Sequence, residues 1–249
     1  MTVELFAPAK LTVSLRVTGV RDDGYHLIDA EMVSLDVGDV LEVDAGGDGL
    51  VVVREGVRSA GADDDLVARA LRAVGRTAGV VLHKRVPAGA GLGGGSADAA
   101  AVLRWAGETD PDLAVRLGAD VAFCVRGGRA RVRGIGELLE PLPYEERTFT
   151  LLTPPLHCST PLVYRRWDEM GGPVGEHGND LEPAALSLVP ELAEWRDRLA
   201  DATQQRPRLA GSGSTWFVEG AHPGPGRVVA RTLAAGAPPP GGGMRATRA

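Results

Sequence analysis

Pro87-Ala88-Gly89-Ala90-Gly91-Leu92-Gly93-Gly94-Gly95-Ser96 sets five glycines and a serine between an apolar strand, Val80–Leu82, and an alanine-rich helix expected from Ala97 to about Ala106. Glycine lets a backbone turn tightly around an oxyanion. The helix that follows offers unpaired amides and a partial positive charge at its first turn. The stretch therefore reads as a phosphate-binding loop. Gly89-Ala90-Gly91-Leu92-Gly93-Gly94 also satisfies GxGxxG, but a dinucleotide site needs its glycines directly after the strand of a compact βαβ unit. Here Pro87 intervenes, and residues 1–55 read as antiparallel strands. The Walker pattern GxxxxGK[ST] is absent.

Upstream of the loop, Lys10–Gly19 alternates apolar Leu11, Val13, Leu15 and Val17 with Thr12, Ser14, Arg16 and Thr18, the pattern of a half-buried strand. Arg21-Asp22-Asp23-Gly24 makes a turn, and Ala30–Leu35 and Val40–Asp44 give further strands. Asp63 to Asp65 cap a helix carrying Leu66, Val67, Ala70, Leu71 and Val74. Downstream, a helix at Pro111–Leu117 leads through Gly118-Ala119-Asp120 to an apolar segment, Val121–Val125, expected as a strand. From about Thr148 come a strand at Phe149–Leu152, helices at Pro161–Met170 and Pro190–Ala202, Gly211-Ser212-Gly213, and a strand at Thr215–Val218. Gly171–Gly178 reads as a loop. The expected division is an N-terminal lobe over residues 1–145, with the phosphate loop and catalytic residues, and a C-terminal lobe over 146–220. Residues 221–249 are expected as a partly ordered tail, poorest in order from Ala235.

The 249 residues suffice for a large buried core, and 44% apolar with 24% charged residues is ordinary for a globular protein. No run approaches a membrane span. MTVELFAPAK has an acid at position 4 and no apolar core, so no signal peptide is expected and a soluble, cytoplasmic protein is. A net charge of −6 argues against a nucleic-acid partner. Cys124 and Cys158 have no metal-ligand spacing and read as buried free thiols. Oligomeric state is not legible. Of 27 Lys and Arg residues only Lys10 and Lys84 are lysines, a hint that arginine would not serve at those two places.

Transfer of a phosphoryl group to an alcohol needs a phosphate cradle, a charge stabiliser and a carboxylate for the hydroxyl proton. Lys10 follows Ala7-Pro8-Ala9, a setting where a long cation can point into a cleft. Asp120 sits at a turn, and each would support the other if they met in space. Tyr25-His26 supply a stacking face and hydrogen bonds suited to a base. His157 and His177 carry no ligand spacing.

These pieces together resemble the GHMP superfamily of small-molecule kinases, and within it the family of 4-diphosphocytidyl-2-C-methyl-D-erythritol kinases. The resemblance runs in order through Ala7–Leu11, Arg21–His26, Gly89–Ala100, Leu117–Val121, Ser159–Pro161, Asn179–Glu182 and Gly211–Gly213. It implies an α+β, two-lobed fold with the active site in the cleft between lobes. It implies Asp120 as the base with Lys10 paired to it, and ATP phosphates held by Pro87, Gly89, Ala90, Gly91, Leu92, Gly93, Gly94, Gly95 and Ser96. It implies Thr12, Tyr25, His26, Thr160, Tyr164, Gly211, Ser212 and Gly213 around a small-molecule substrate bearing cytidine diphosphate, and Asp65 near the nucleotide base. ATP and Mg²⁺ are the implied cofactors, with Ser96 the one candidate metal contact, through magnesium-bound ATP. The sequence departs from the family pattern in having Thr12 where Asn is usual, Asp65 in place of Asn, and a shorter chain between Ala100 and Gly118 and in the second lobe. Another alcohol kinase of the superfamily, or a kinase-like binding protein without turnover, stays open as an alternative.

Overall fold

The computed structural model describes residues 1–238. Two long strands, β1 (Thr2–Val20) and β2 (His26–Asp44), pair antiparallel along their whole length around the Arg21–Gly24 turn. Register slips at Thr12/Ser14 and Val17/Gly19 place an extra residue in β1, and the slip at Pro8/Lys10 places its extra residues in β2, between Ser34 and Gly38. The bulges change which side chains face which core. Leu11 and Val13 lie in one apolar cluster and Leu15 in another, while Lys10 and Thr12 are also buried. The half-buried strand expected from alternation is thus covered on both faces near Lys10.

The second edge of β2 is shared. Its first half pairs with β6 (Arg129–Gly134), then Ser34 and Leu35 pair with β11 (Arg227–Leu233), and Val40–Asp44 pair with β5 (Gly79–Lys84). β5 runs parallel to β3 (Leu50–Arg54), which forms a hairpin with β4 (Val57–Ala60), and β6 pairs with β7 (Leu138–Pro141). On its far side β11 pairs with β8 (Thr148–Leu152), which pairs with β10 (Trp216–Glu219), which pairs with β9 (Arg208–Leu209). Arg227–Leu233 therefore corrects the expected tail. It is an internal strand between β2 and β8, and the rest of that expectation, from residue 239, lies outside the described residues.

Asp65 caps α1 (Leu66–Ala73) as expected, accepting from the Val67 amide at 2.8 Å. The glycine loop feeds α2 (Gly94–Ala106), whose residues Ala97–Leu103 are all buried. Its alanines let the helix sit close to β1, α1 and α4 (Val121–Arg126). α3 (Pro111–Leu117) precedes α4, with Asp110 accepting from the Asp112 amide. Val121–Val125, expected as a strand, is helical. A short run buried all round, as Val121–Cys124 is, carries no period that separates the two states. In the second half α5 (Thr160–Glu169) and α7 (Leu192–Thr203) fall where helices were expected. α6 (Glu182–Leu188) was not anticipated.

Candidate active site

Lys10 is almost wholly buried on β1, beside a bulge in β2, and its amide donates to Leu92 O at 3.0 Å, binding the strand to the glycine loop. Its ammonium lies 3.1 Å from Asp120 Oδ2 and donates to Thr12 Oγ1 at 3.0 Å. Asp120 stands at the N-cap of α4, not before a strand, and its side chain makes no capping bond, so its carboxylate is left for Lys10 and for a ligand. Burial, with the charge of Asp120 adding to it, raises the Tyr164 hydroxyl well above its ordinary range, so the phenol stays protonated. The same two causes push the Cys124 thiol up to about 12. Cys158 is raised by burial as well, and both cysteines are free, buried and inert.

The glycine loop owes its composition to crowding. Gly91 has φ +76°, and a Cβ there would stand 2.3 Å from Ala210 O and 2.8 Å from Gly213 O. Gly93, with φ +65°, would place a Cβ 2.8 Å from the Lys10 stem. Two bonds join the loop to the second half of the chain, from the Ser214 amide to Gly89 O and from the Thr215 amide to Ala90 O. Ala97 N reaches Gly93 O at 2.8 Å, so the amides of Gly94, Gly95 and Ser96 lie ahead of the first intrahelical bond of α2. On the other side of the cleft, Asn179 Nδ2 donates to Leu209 O and Gly211 O while its Oδ1 accepts from Leu181, which fixes the Gly211–Gly213 turn. Thr160 and Ser212 share a hydroxyl hydrogen bond of 2.8 Å.

The base candidates gather next to this. His26 packs on Tyr164 with ring centroids 4.6 Å apart and meets Trp167 edge-on at 5.7 Å, while His26 Nε2 lies 2.8 Å from Asp168 Oδ1. Tyr25 stands exposed on the turn. One cavity of about 930 Å³ is lined by every anticipated site residue except Gly213, which lies beneath the turn against Cys158 and Leu209. Asp65 lines it too, although its carboxylate is engaged in capping α1.

The sequence reading missed a buried cluster under the loop. Lys84 Nζ pairs with Asp39 and, at 2.7 Å, with Asp98, while Asp39 Oδ1 accepts from the amides of Arg85 and Val86 that lead into Pro87. Lys84 also approaches Gly94, where a Cβ would stand 3.1 Å from its Nζ. Burial would lower the Lys84 pKa, but the two carboxylates outweigh it and the net shift is upward. Burial raises Asp98 to about 7 against the opposing pull of Lys84, and Asp98 Oδ1 has no partner. The scarcity of lysine was the available signal for Lys84. Asp39, Asp98, Arg54 and Asp168 offered none, because only the fold brings them to the cavity.

Among the described residues no helix is long and apolar enough to cross a membrane, and no three His, Cys, Asp or Glu side chains cluster as a metal site. Residues 65–128 match the family described as GHMP kinases N terminal domain. The chain is 40% identical to 4-diphosphocytidyl-2-C-methyl-D-erythritol kinase of Paracoccus denitrificans, over 85% of this chain and 84% of that protein. It is 37% identical to the protein of the same name from Cereibacter sphaeroides, over 94% and 95% of the two chains. A crystal structure of 4-(cytidine 5'-diphospho)-2C-methyl-D-erythritol kinase superposes with a TM-score of 0.69 at 35% identity, covering 86% of this chain and 88% of that one. A homoserine kinase from Cytophaga hutchinsonii, at 19% identity and a TM-score of 0.56, shares the fold. On sequence and fold together, this chain belongs to the 4-diphosphocytidyl-2-C-methyl-D-erythritol kinase family of the GHMP kinases.

Proposed function

We propose that the chain transfers the γ-phosphoryl group of ATP to the 2-hydroxyl of 4-diphosphocytidyl-2-C-methyl-D-erythritol, with Asp120 accepting the hydroxyl proton. The observation that carries this reading is the Lys10–Asp120 pair, 3.1 Å apart, in the one cavity that the glycine loop and the His26–Tyr164 pair also line. A bond forms from the acceptor oxygen to the γ-phosphorus as the bond to the β–γ bridging oxygen breaks, releasing ADP. The amides of Gly94, Gly95 and Ser96 meet the negative charge on the phosphate oxygens. Lys10 holds the Asp120 carboxylate in place and adds a positive charge beside the reacting hydroxyl.

Magnesium in such sites is held largely by substrate phosphates with few protein ligands. The oxygen donors here fit that pattern, since a serine hydroxyl stands in the first turn of α2 and, among the described residues, no three His, Cys, Asp or Glu side chains cluster to form a metal cage. Ser96 would hold the ion through its hydroxyl, and the ion would neutralise phosphate charge. The charged substrates give the reading a cytoplasmic setting.

The decisive assay measures ADP release from ATP and Mg²⁺ with 4-diphosphocytidyl-2-C-methyl-D-erythritol, beside the same alcohol lacking cytidine. Cytidine-dependent release supports the reading. Equal release from both leaves an alcohol kinase without a base pocket, and none from either, with nucleotide still bound, leaves a binding protein.

A further inference from the structure

We infer that Lys84, acting with Asp39 and Asp98, is a positioning residue for ATP: these side chains brace both ends of the phosphate loop and hold its amides in the arrangement that receives the phosphates. The inference rests on the proposed use of ATP and deepens it. The loop enters from β5 and leaves into α2, and the brace joins the two ends. On the entry side Asp39 Oδ1 accepts from the Arg85 amide and, at 2.8 Å, from the Val86 amide, immediately before Pro87. On the exit side Asp98 stands one turn into α2, and its Oδ2 accepts from Lys84 Nζ at 2.7 Å. Lys84 closes the link by donating to Asp39 Oδ2 as well. One ammonium at the end of β5 therefore ties β2 to α2 across the ten residues Pro87–Ser96.

Stability alone does not account for the cluster. Asp39 and Asp98 are buried, and a buried set of charges is often no more stabilising than apolar side chains of the same volume. What such a set supplies is fixed direction, which a stretch with five glycines lacks by itself. Lys84 also lies close to the helix start, since a Cβ on Gly94 would stand 3.1 Å from its Nζ. The Lys10 amide ties the middle of the loop, and the Ser214 and Thr215 amides tie Gly89 and Ala90. Among the described residues no other side-chain hydrogen bond joins β5 to α2. Amides held in place before ATP arrives lose less freedom on binding it, which lowers the ATP KM more than it changes the chemical step.

The test measures ATP binding by calorimetry with Mg²⁺ present, beside steady-state kinetics, for the wild type, Asp98→Ala, Asp98→Asn, Lys84→Met and the double variant of Asp98→Ala with Lys84→Met. Asp98→Ala cuts the exit side while Lys84 keeps Asp39, and alanine is the strongest helix former, so that chain should fold. It should weaken ATP binding and raise the ATP KM about tenfold, with kcat and the KM for the alcohol within about twofold. Asp98→Asn retains an acceptor for Lys84 and should recover most of the loss. Lys84→Met should weaken ATP binding at least as far, and the double variant no further than Lys84→Met, because both changes cut one link. Leu199→Ala opens a cavity in α7, which packs on α6 and β10, and should leave ATP binding unchanged although it destabilises the fold. ATP binding within about twofold of the wild type in Asp98→Ala overturns the inference, as do additive losses in the double variant or an equal loss in Leu199→Ala. Calorimetry needs no alcohol, so a wrong acceptor leaves these outcomes standing. A wild type that binds no ATP overturns the inference and the proposed function together.

Discussion

Lys10 is held on every side: by its amide to Leu92, by Thr12 Oγ1, by Asp120 and by the wall of Gly93. Such confinement makes the charge stabiliser and the proton acceptor a single unit. Asp120→Asn keeps the shape and removes the base, so kcat should fall by about 10²–10⁴-fold while ATP affinity, measured by calorimetry, changes little. Asp98 permits a second prediction. Its pKa in the fold is about 7, above the ordinary 3.8, so the folded state keeps a proton that the unfolded chain has lost. Stability from this group is therefore full below about pH 4 and declines as pH rises through about 7, each unit of difference being worth about 1.4 kcal/mol. Urea unfolding of Asp98→Asn between pH 4 and 8 should lack that decline, and an identical pH dependence in both proteins would contradict it. Lys10 and Asp120 were singled out by their local settings, and their pairing was anticipated from the family resemblance. The Lys84 cluster was not, since Asp39, Lys84 and Asp98 come from three separate elements.

At the scale of elements, the glycine loop works by being pressed between β1 and the Gly211–Gly213 turn. Gly91→Ala asks an L-residue to hold φ +76° with its Cβ 2.3 Å from Ala210 O. We expect a loss of about 1–3 kcal/mol in thermal unfolding and a higher KM for ATP, since the loop must back away from the turn. Asn179 fixes the same turn from below. Asn179→Ala leaves two buried carbonyls and one amide without their partners, which should cost about 2–4 kcal/mol and raise the substrate KM more than the ATP KM. The loop and α2 were legible because glycine composition and a helix start are local signals. α4 was misread and α6 overlooked because short helices take their state from packing, and four consecutive buried residues suit strand and helix alike.

For the whole molecule, β11 is the strand through which β2 joins β8, and β10 and β9 follow from β8. Truncation before Arg227 should therefore abolish cooperative unfolding followed by circular dichroism, and a truncated chain with a native-like melt would show the β2–β8 link to be dispensable. The apolar cluster behind Lys10 depends on the same junction. Phe149 and Phe217 meet there edge to face at 5.8 Å, and Ala230 of β11 lies beside them. The two-lobe division at about residue 145 remains our proposal for how the chain is organised, and β11 crosses back over it.

The amino-acid sequence by itself determined the β-hairpin opening and the phosphate loop with its helix, since each is written in residue types a few positions apart, while the pairing of Lys10 with Asp120 came from the family resemblance. Only the tertiary structure decided which faces of β1 were buried, that Arg227–Leu233 belongs inside the sheet, and that Asp168 meets His26 and Asp98 meets Lys84. Those outcomes depend on contacts between residues far apart in the chain or on separate elements. No local period or propensity encodes such contacts before the sheet has closed and the loop has been pressed against its partner.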